Sequence, residues 1–175
     1  MVEIVTLIAA LAVIALVFVY TLIIGNPPTP TSPRVRARLM AVLPPLGSGS
    51  VFELGSGWGT LAFPLARRFP ERPVIAVERA PVPWLASRLR LALAGPPNLK
   101  IERGDFLARP LDGAALVVCY LHAPAMARLK TKLEAELTPG CWVLSHTFRM
   151  AGWEPVRTEG AGDLYRTPVY LYRMD

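Results

Sequence analysis

Cysteine and histidine are scarce in this chain, two of each among 175 residues. Neither set has the paired close spacing of a zinc site, so no metal centre is expected. Cys119 and Cys141 fall within apolar, strand-like segments. They read as reduced core thiols rather than a disulfide framework. Acidic residues are the second shortage, 13 against 19 Lys and Arg, giving a net charge of +6. The bases are scattered, and no basic run interleaves with aromatics. That argues against a nucleic-acid partner. Internal repeats and low-complexity tracts are also missing, and the length suits one globular domain.

What is present begins with an apolar run. Residues 4–24 are 21 positions without a charge, a proline or a glycine. At about 1.5 Å per residue they span roughly 30 Å, the thickness of a bilayer core. A secretory signal would want a positive start, a shorter apolar region and a small-residue cleavage site. Here Glu3 precedes the run and Gly25-Asn26-Pro27-Pro28 follows it. A buried core helix is the weaker reading, because the run is apolar on every face and the chain is short. A retained transmembrane helix is therefore expected. Arg34, Arg36 and Arg38 follow it, with no acid before Glu53. The positive-inside bias makes this a single-pass membrane protein with the rest of the chain on the cytoplasmic side. The three arginines also suit an anionic lipid surface.

Residues 26–33 form a Pro/Thr-rich, extended linker, and residues 34–43 a short basic helix ended by Pro44-Pro45. The expected division is an anchor at 1–25, a linker with its basic helix at 26–49, and one domain at 50–175. Within the domain, apolar strand patterns at 51–54, 73–77, 99–102, 115–120 and 141–146 alternate with helical patterns at 60–69, 83–94 and 123–137. That alternation predicts an α/β fold with a mostly parallel sheet. Residues 153–158 and 165–173 flank Glu159-Gly160-Ala161-Gly162-Asp163 and predict a C-terminal antiparallel hairpin. Two leucine stripes are expected in the core: Leu85, Leu89 and Leu93, and then Met126, Leu129, Leu133 and Leu137. Lys130–Glu134 and Lys132–Glu136 are expected as exposed i,i+4 pairs.

The segment richest in information is Val51-Phe52-Glu53-Leu54-Gly55-Ser56-Gly57-Trp58-Gly59. A strand runs into a glycine-rich turn and then a helix, so backbone can come close to a ligand beside free N–H groups. The spacing is G-x-G-x-G. It is neither the G-x-G-x-x-G dinucleotide fingerprint nor a P-loop, which needs a following Lys. Glu78 ends the next strand about 20 residues on, where a carboxylate can take ribose hydroxyls. Asp105 and Phe106 follow the third strand.

Three acids in order on three successive strands, with the glycine triplet, resemble the class I S-adenosylmethionine (SAM) methyltransferases. A narrower likeness is to the membrane-anchored protein-lysine methyltransferases that modify the mitochondrial adenine nucleotide translocase and the ATP synthase c-subunit, and to their archaeal relatives. It is carried by the N-terminal apolar segment, Pro30-Thr31-Ser32, residues 53–59, Glu78, Pro83-Trp84-Leu85, Asp105, residues 129–137 and Trp153-Glu154-Pro155. The chain departs from the family at Trp58, where Asp is common, and at Pro28-Thr29, where an aromatic is common. The resemblance implies a Rossmann-like class I methyltransferase sheet. Its cofactor would be SAM, with S-adenosyl-L-homocysteine as product, held by Thr31, Glu53, Gly55, Ser56, Gly57, Gly59, Glu78, Arg79, Asp105, Phe106 and Tyr120. Asp105 would accept from the adenine amino group. SAM is a cytoplasmic metabolite, in keeping with the orientation read from the arginines.

The expected partners are the membrane and a protein substrate, with a membrane protein among the candidates. Tyr120, at the ligand end of the fourth strand, and His122 are the candidate catalytic residues. A dedicated base is optional, because desolvation alone lowers a lysine pKa. Trp153 is expected either as a wall of the entrance or as core. The chain has no Asn-Pro-Pro-Tyr sequence of the kind amide and base-amine methyltransferases carry. A phospholipid or small-molecule N-methyltransferase and a non-catalytic SAM-binding membrane module are the competing readings.

Overall fold

The computed structural model describes residues 1–24 and 29–175, with the side chains of Ile23 and Ile24 left aside. Residues 26–28 of the expected linker lie outside the described residues. Helix α1 covers Val2–Ile24. Its window Val2–Leu22 has a mean hydropathy of 2.9 and is not buried, so by length and composition it can cross a membrane. Among its described side chains only Val17, Tyr20 and Thr21, one face at i, i+3, i+4 spacing, are half-buried against the rest of the protein.

Helix α2 is Pro33–Val42. Ser32 caps it, its Oγ accepting the Val35 N–H at 3.4 Å, and Pro33 fits the first helical position. Val35, Leu39 and Val42 are buried in the core, so this helix packs against the sheet.

The strands are β1 (Ser50–Leu54), β2 (Val74–Glu78), β3 (Leu99–Arg103), β4 (Ala114–Cys119), β5 (Trp142–His146), β6 (Arg157–Gly160) and β7 (Pro168–Arg173). The intervening helices are α3 (Ala62–Arg68), α4 (Pro81–Ala94) and α5 (Ala123–Glu136). One sheet has the order β3-β2-β1-β4-β5-β7-β6. The first five strands run parallel, and β7 is antiparallel to both neighbours. β5 passes to β6 without a helix. The register sets Leu54 opposite Val77 on one side and Cys119 on the other. The carboxyl ends of β1, β2 and β4 are therefore level. Chain order reverses between β1 and β4, which opens a crevice at that edge. β1, β2 and β4 are buried on both faces, and apart from Ser50, Glu53 and the terminal Glu78 they are apolar for that reason.

Three expectations are corrected. Leu85, Leu89 and Leu93 are 51%, 57% and 87% exposed, not core. α4 packs instead through Pro83 and Ser87, with Trp84 and Leu91 against the core cluster. Lys132 is buried rather than exposed. Glu136, its partner at 2.5 Å, is itself drawn inward by accepting the Leu111 N–H at 3.0 Å. The hairpin is shifted: residues 153–156 are not strand, and β7 begins at Pro168 rather than at 165. Pro155 cannot donate to a ladder. The Asp163 carboxylate closes the turn by accepting from the Thr167 N–H and hydroxyl at 2.7 and 2.6 Å.

Candidate active site

A cleft of about 220 Å³ lies at the carboxyl ends of β1, β2 and β4. The topology brings to it Thr31, Glu53, Gly55, Ser56, Gly57, Glu78, Arg79, Asp105, Phe106, Tyr120 and His122. Gly59 stands just behind, at φ +72°, where an added Cβ would meet the Phe63 ring at 3.0 Å. Trp153 is not brought to the cleft. It packs edge-on to Tyr172 and donates to Glu134 at 2.9 Å.

The turn after β1 depends on glycine. At Gly55, φ is +75° and a Cβ would lie 2.6 Å from Leu121 Cδ2. Gly57 has φ +52° with nothing near its missing side chain. That leaves its backbone open to a ligand in the cleft.

Glu78 is 7% exposed, and its carboxylate is occupied. One oxygen accepts the Gly57 N–H at 2.7 Å and the other the Ala80 N–H at 2.6 Å. One side chain thus ties the glycine turn to the start of α4. Burial raises its pKa, and the N–H groups of Ala80, Gly57 and Arg79 oppose that. Glu53, 4% exposed, lies deeper. Burial foremost, then the charge of Glu78, holds its carboxyl well above the ordinary range, against a hydrogen bond from the Ala62 backbone. Glu53 Oε2 and Ser56 Oγ are buried with no hydrogen-bond partner among the described residues.

Asp105 accepts the Leu107 N–H at 2.9 Å and faces Arg79 at 3.8 Å. Tyr120 stacks on His146, with ring centroids 4.0 Å apart and planes at 28°. His146 is buried and also bridges Thr31 Oγ1 at 3.4 Å and Thr147 Oγ1 at 3.0 Å. Burial brings its pKa down to about 4, with Asp163 acting the other way. His122 sits at the N-cap of α5 and makes no side-chain cap bond there.

Two contributions escaped sequence reasoning. Leu16, Val17, Tyr20 and Thr21 of α1 border the cleft, and His146 supports Tyr120 and Thr31 from behind. Thr31 and His146 are 115 residues apart, and no local pattern links them.

An unsatisfied buried carboxylate oxygen, an unsatisfied hydroxyl and an open glycine turn at a topological switch point suit a cofactor carrying an ammonium and a ribose. Together with the sheet order they define a class I methyltransferase. A sequence model of the ANTKMT methyltransferase domain matches residues 53–157. The chain is 31% identical over 155 residues to a protein-lysine N-methyltransferase of Saccharolobus islandicus, covering 83% of this chain and 92% of that one. It is 32% identical over 117 residues to the adenine nucleotide translocase lysine N-methyltransferase of Mus musculus, covering 65% of this chain and 50% of that one. Among solved structures it resembles an RNA methyltransferase from Salinibacter ruber in complex with S-adenosyl-L-homocysteine, with a TM-score of 0.72 and 27% identity over 83% of this chain and 94% of the other. The chain is a SAM-dependent methyltransferase. It belongs to the ANTKMT methyltransferase domain family.

Proposed function

We propose that the protein is a membrane-anchored N-methyltransferase that modifies lysine side chains of a protein. The observation that carries the lysine reading is the similarity, over 83% of this chain and 92% of the other, to an archaeal protein-lysine N-methyltransferase. Residues 1–25 serve as the anchor, residues 26–49 as linker and basic helix, and residues 50–175 as the methyltransferase domain. The domain faces the cytoplasm, because Arg34, Arg36 and Arg38 follow the apolar helix and only Glu3 precedes it.

SAM supplies a methyl group on a sulfonium, open to in-line displacement by an amine. The chain's own residues hold and align. Glu53 would take the cofactor's ammonium at its unsatisfied oxygen, and Ser56 and Gly57 would line the methionine end. Glu78 would exchange backbone partners for ribose hydroxyls. Asp105 would accept from the adenine amino group, with Phe106 and Arg79 alongside and Thr31 bounding the site. Tyr120, braced by His146, and His122 would shape the entry of the target lysine. That amine must arrive neutral, and the apolar rim of Leu121, Val17 and Tyr20 favours loss of its proton by desolvation. Alignment and exclusion of water are the main catalytic contributions.

Mass spectrometry of cell membranes with and without the chain tests this. A gain of one to three methyl groups on a membrane-protein lysine is expected, and methylated lipid with unmodified protein would favour the phospholipid alternative instead.

A further inference from the structure

Among the described residues after α1 in the chain, the large apolar side chains left exposed are Leu85, Leu89, Leu93, Val156, Leu164 and Tyr165. Half of them lie on one face of one helix. Leu85, Leu89 and Leu93 recur every four residues on α4, so they stack along its outer surface with Ala92 between them and exposed Arg88 at their flank. Helices that only cover a sheet rarely carry such a stripe outward.

The charges of its own stretch of chain have one sign, the nearest acid on the strand it packs against being Glu102, which pairs with Arg109 at 2.8 Å. From Arg79 to Ile101 the chain holds Arg79, Arg88, Arg90 and Lys100 and no acid. Arg88, Arg90 and Lys100 are all exposed, and Arg90 lies over the Phe63 ring, at 4.0 Å from its centroid. An apolar stripe edged by cations is the pattern of a helix lying in the plane of a membrane interface. Continuity points the same way. α1, the helix long and apolar enough to span, contacts α4, and both border the cleft through Val17 and Tyr20 on one side and Val82 and Pro83 on the other.

We propose that the outer face of α4 is a second membrane contact, resting on the headgroup region of an anionic bilayer. This rests on the anchoring reading of α1 and deepens it. Through its described side chains α1 meets the domain only along one short face, Val17, Tyr20 and Thr21. A second contact on α4 fixes the domain's orientation and brings the cleft mouth, next to the first turn of α4, down to the bilayer surface. The substrate lysines it favours are those of membrane proteins at headgroup depth.

Spin labels on the full chain in phosphatidylcholine–phosphatidylglycerol nanodiscs test this. Leu89→Cys probes α4, Ile14→Cys probes α1, and Asp112→Cys, in the exposed turn before β4, reports water. The native thiols are buried and do not compete for label. The expected result at Leu89 is a several-fold higher ratio of oxygen to nickel-complex accessibility than at Asp112, falling to the Asp112 value when Arg88→Glu is added. A lipid-exposed Ile14 label with a water-exposed Leu89 label would overturn the α4 contact and leave the anchor standing. A water-exposed Ile14 label would overturn the anchor itself. A Leu89 label shielded from both reagents in detergent, with dipolar broadening between copies, would assign the face to a second copy of the chain and overturn the lipid proposal.

Discussion

Helices α4 and α5 are each 14 residues long, and each carries leucines at helical spacing, yet their stripes face opposite ways. On α5, Met126, Leu129 and Leu133 are 2%, 0% and 0% exposed and pack on Phe52, Leu54, Val117 and Val143. On α4, Leu85, Leu89 and Leu93 point outward, and the sheet contact falls to Pro83, Ser87, Trp84 and Leu91. Periodicity establishes that a helix has an apolar face. It does not establish that the face meets the protein's own core, and in a chain with a candidate membrane span the other apolar solvent is lipid.

The largest effect expected from this contrast is at Leu129. Leu129→Ala should destabilise the full chain in detergent by about 2–5 kcal/mol, as for a large-to-small change in a packed core. Chemical denaturation would measure it, and a loss below about 1 kcal/mol would mean that α5 is not held by its leucines.

Burial separates the titrating groups as it separates the stripes. His146 is held neutral down to about pH 4, against about 6.5 for a free imidazole. Its folded pKa lies below its unfolded one, so the unfolded chain gains the proton first. Stability should fall by at most about 3 kcal/mol as pH drops from about 6.5 to about 4. His146→Asn should flatten that slope. Glu53 works in the opposite sense. Its raised pKa gives stability at low pH that is lost as pH rises, so Glu53→Gln should stabilise the ligand-free protein near neutrality while weakening its hold on S-adenosyl-L-homocysteine. Thermal unfolding across pH checks both.

Glu78 sharpens the contrast at the other end of α4. Its carboxylate accepts two buried N–H groups, one of them at the start of that helix. Glu78→Ala should cost about 1–3 kcal/mol of stability and loosen α4 before α5 in hydrogen exchange. It should also weaken cofactor binding by about 1.5–3 kcal/mol in calorimetry. Equal exchange in the two helices would mean that Glu78 does not tie α4 to the glycine turn. The smallest effect is on the outer face of α4. Leu89→Ser should change stability in detergent by less than about 0.5 kcal/mol, and a core-sized loss would place that leucine back in the fold.

The fold was legible in the sequence where local pattern and burial coincide. β1, β2 and β4 are apolar segments bounded by turn residues, broken only by Ser50 and the site acids Glu53 and Glu78, and the glycine triplet marks the edge where they end. The sequence thereby also pointed to eleven of the residues that line the cleft, Thr31 and those at and just beyond the strand ends, but not to the side that α1 and the start of α4 supply. It fell short where a residue's surroundings come from distant chain. The side that α4 presents is set by α1 and by the edge position of β3. The burial of Lys132 depends on Glu136 reaching the Leu111 N–H. The place of His146 beneath Tyr120 depends on sheet order. Tyr165 looks like a strand residue, but the Asp163–Thr167 bonds close the turn beyond it and leave it 85% exposed.

The most direct measurement of the central claim uses the full chain in bilayer nanodiscs, SAM carrying a deuterated methyl group, and isolated membranes as substrate. Peptide mass spectrometry should find the heavy methyl on lysine side chains of membrane proteins, with Gly57→Phe abolishing it by filling the cleft. Heavy methyl in phospholipid, in RNA or in small molecules, with protein lysines unlabelled, would contradict the account.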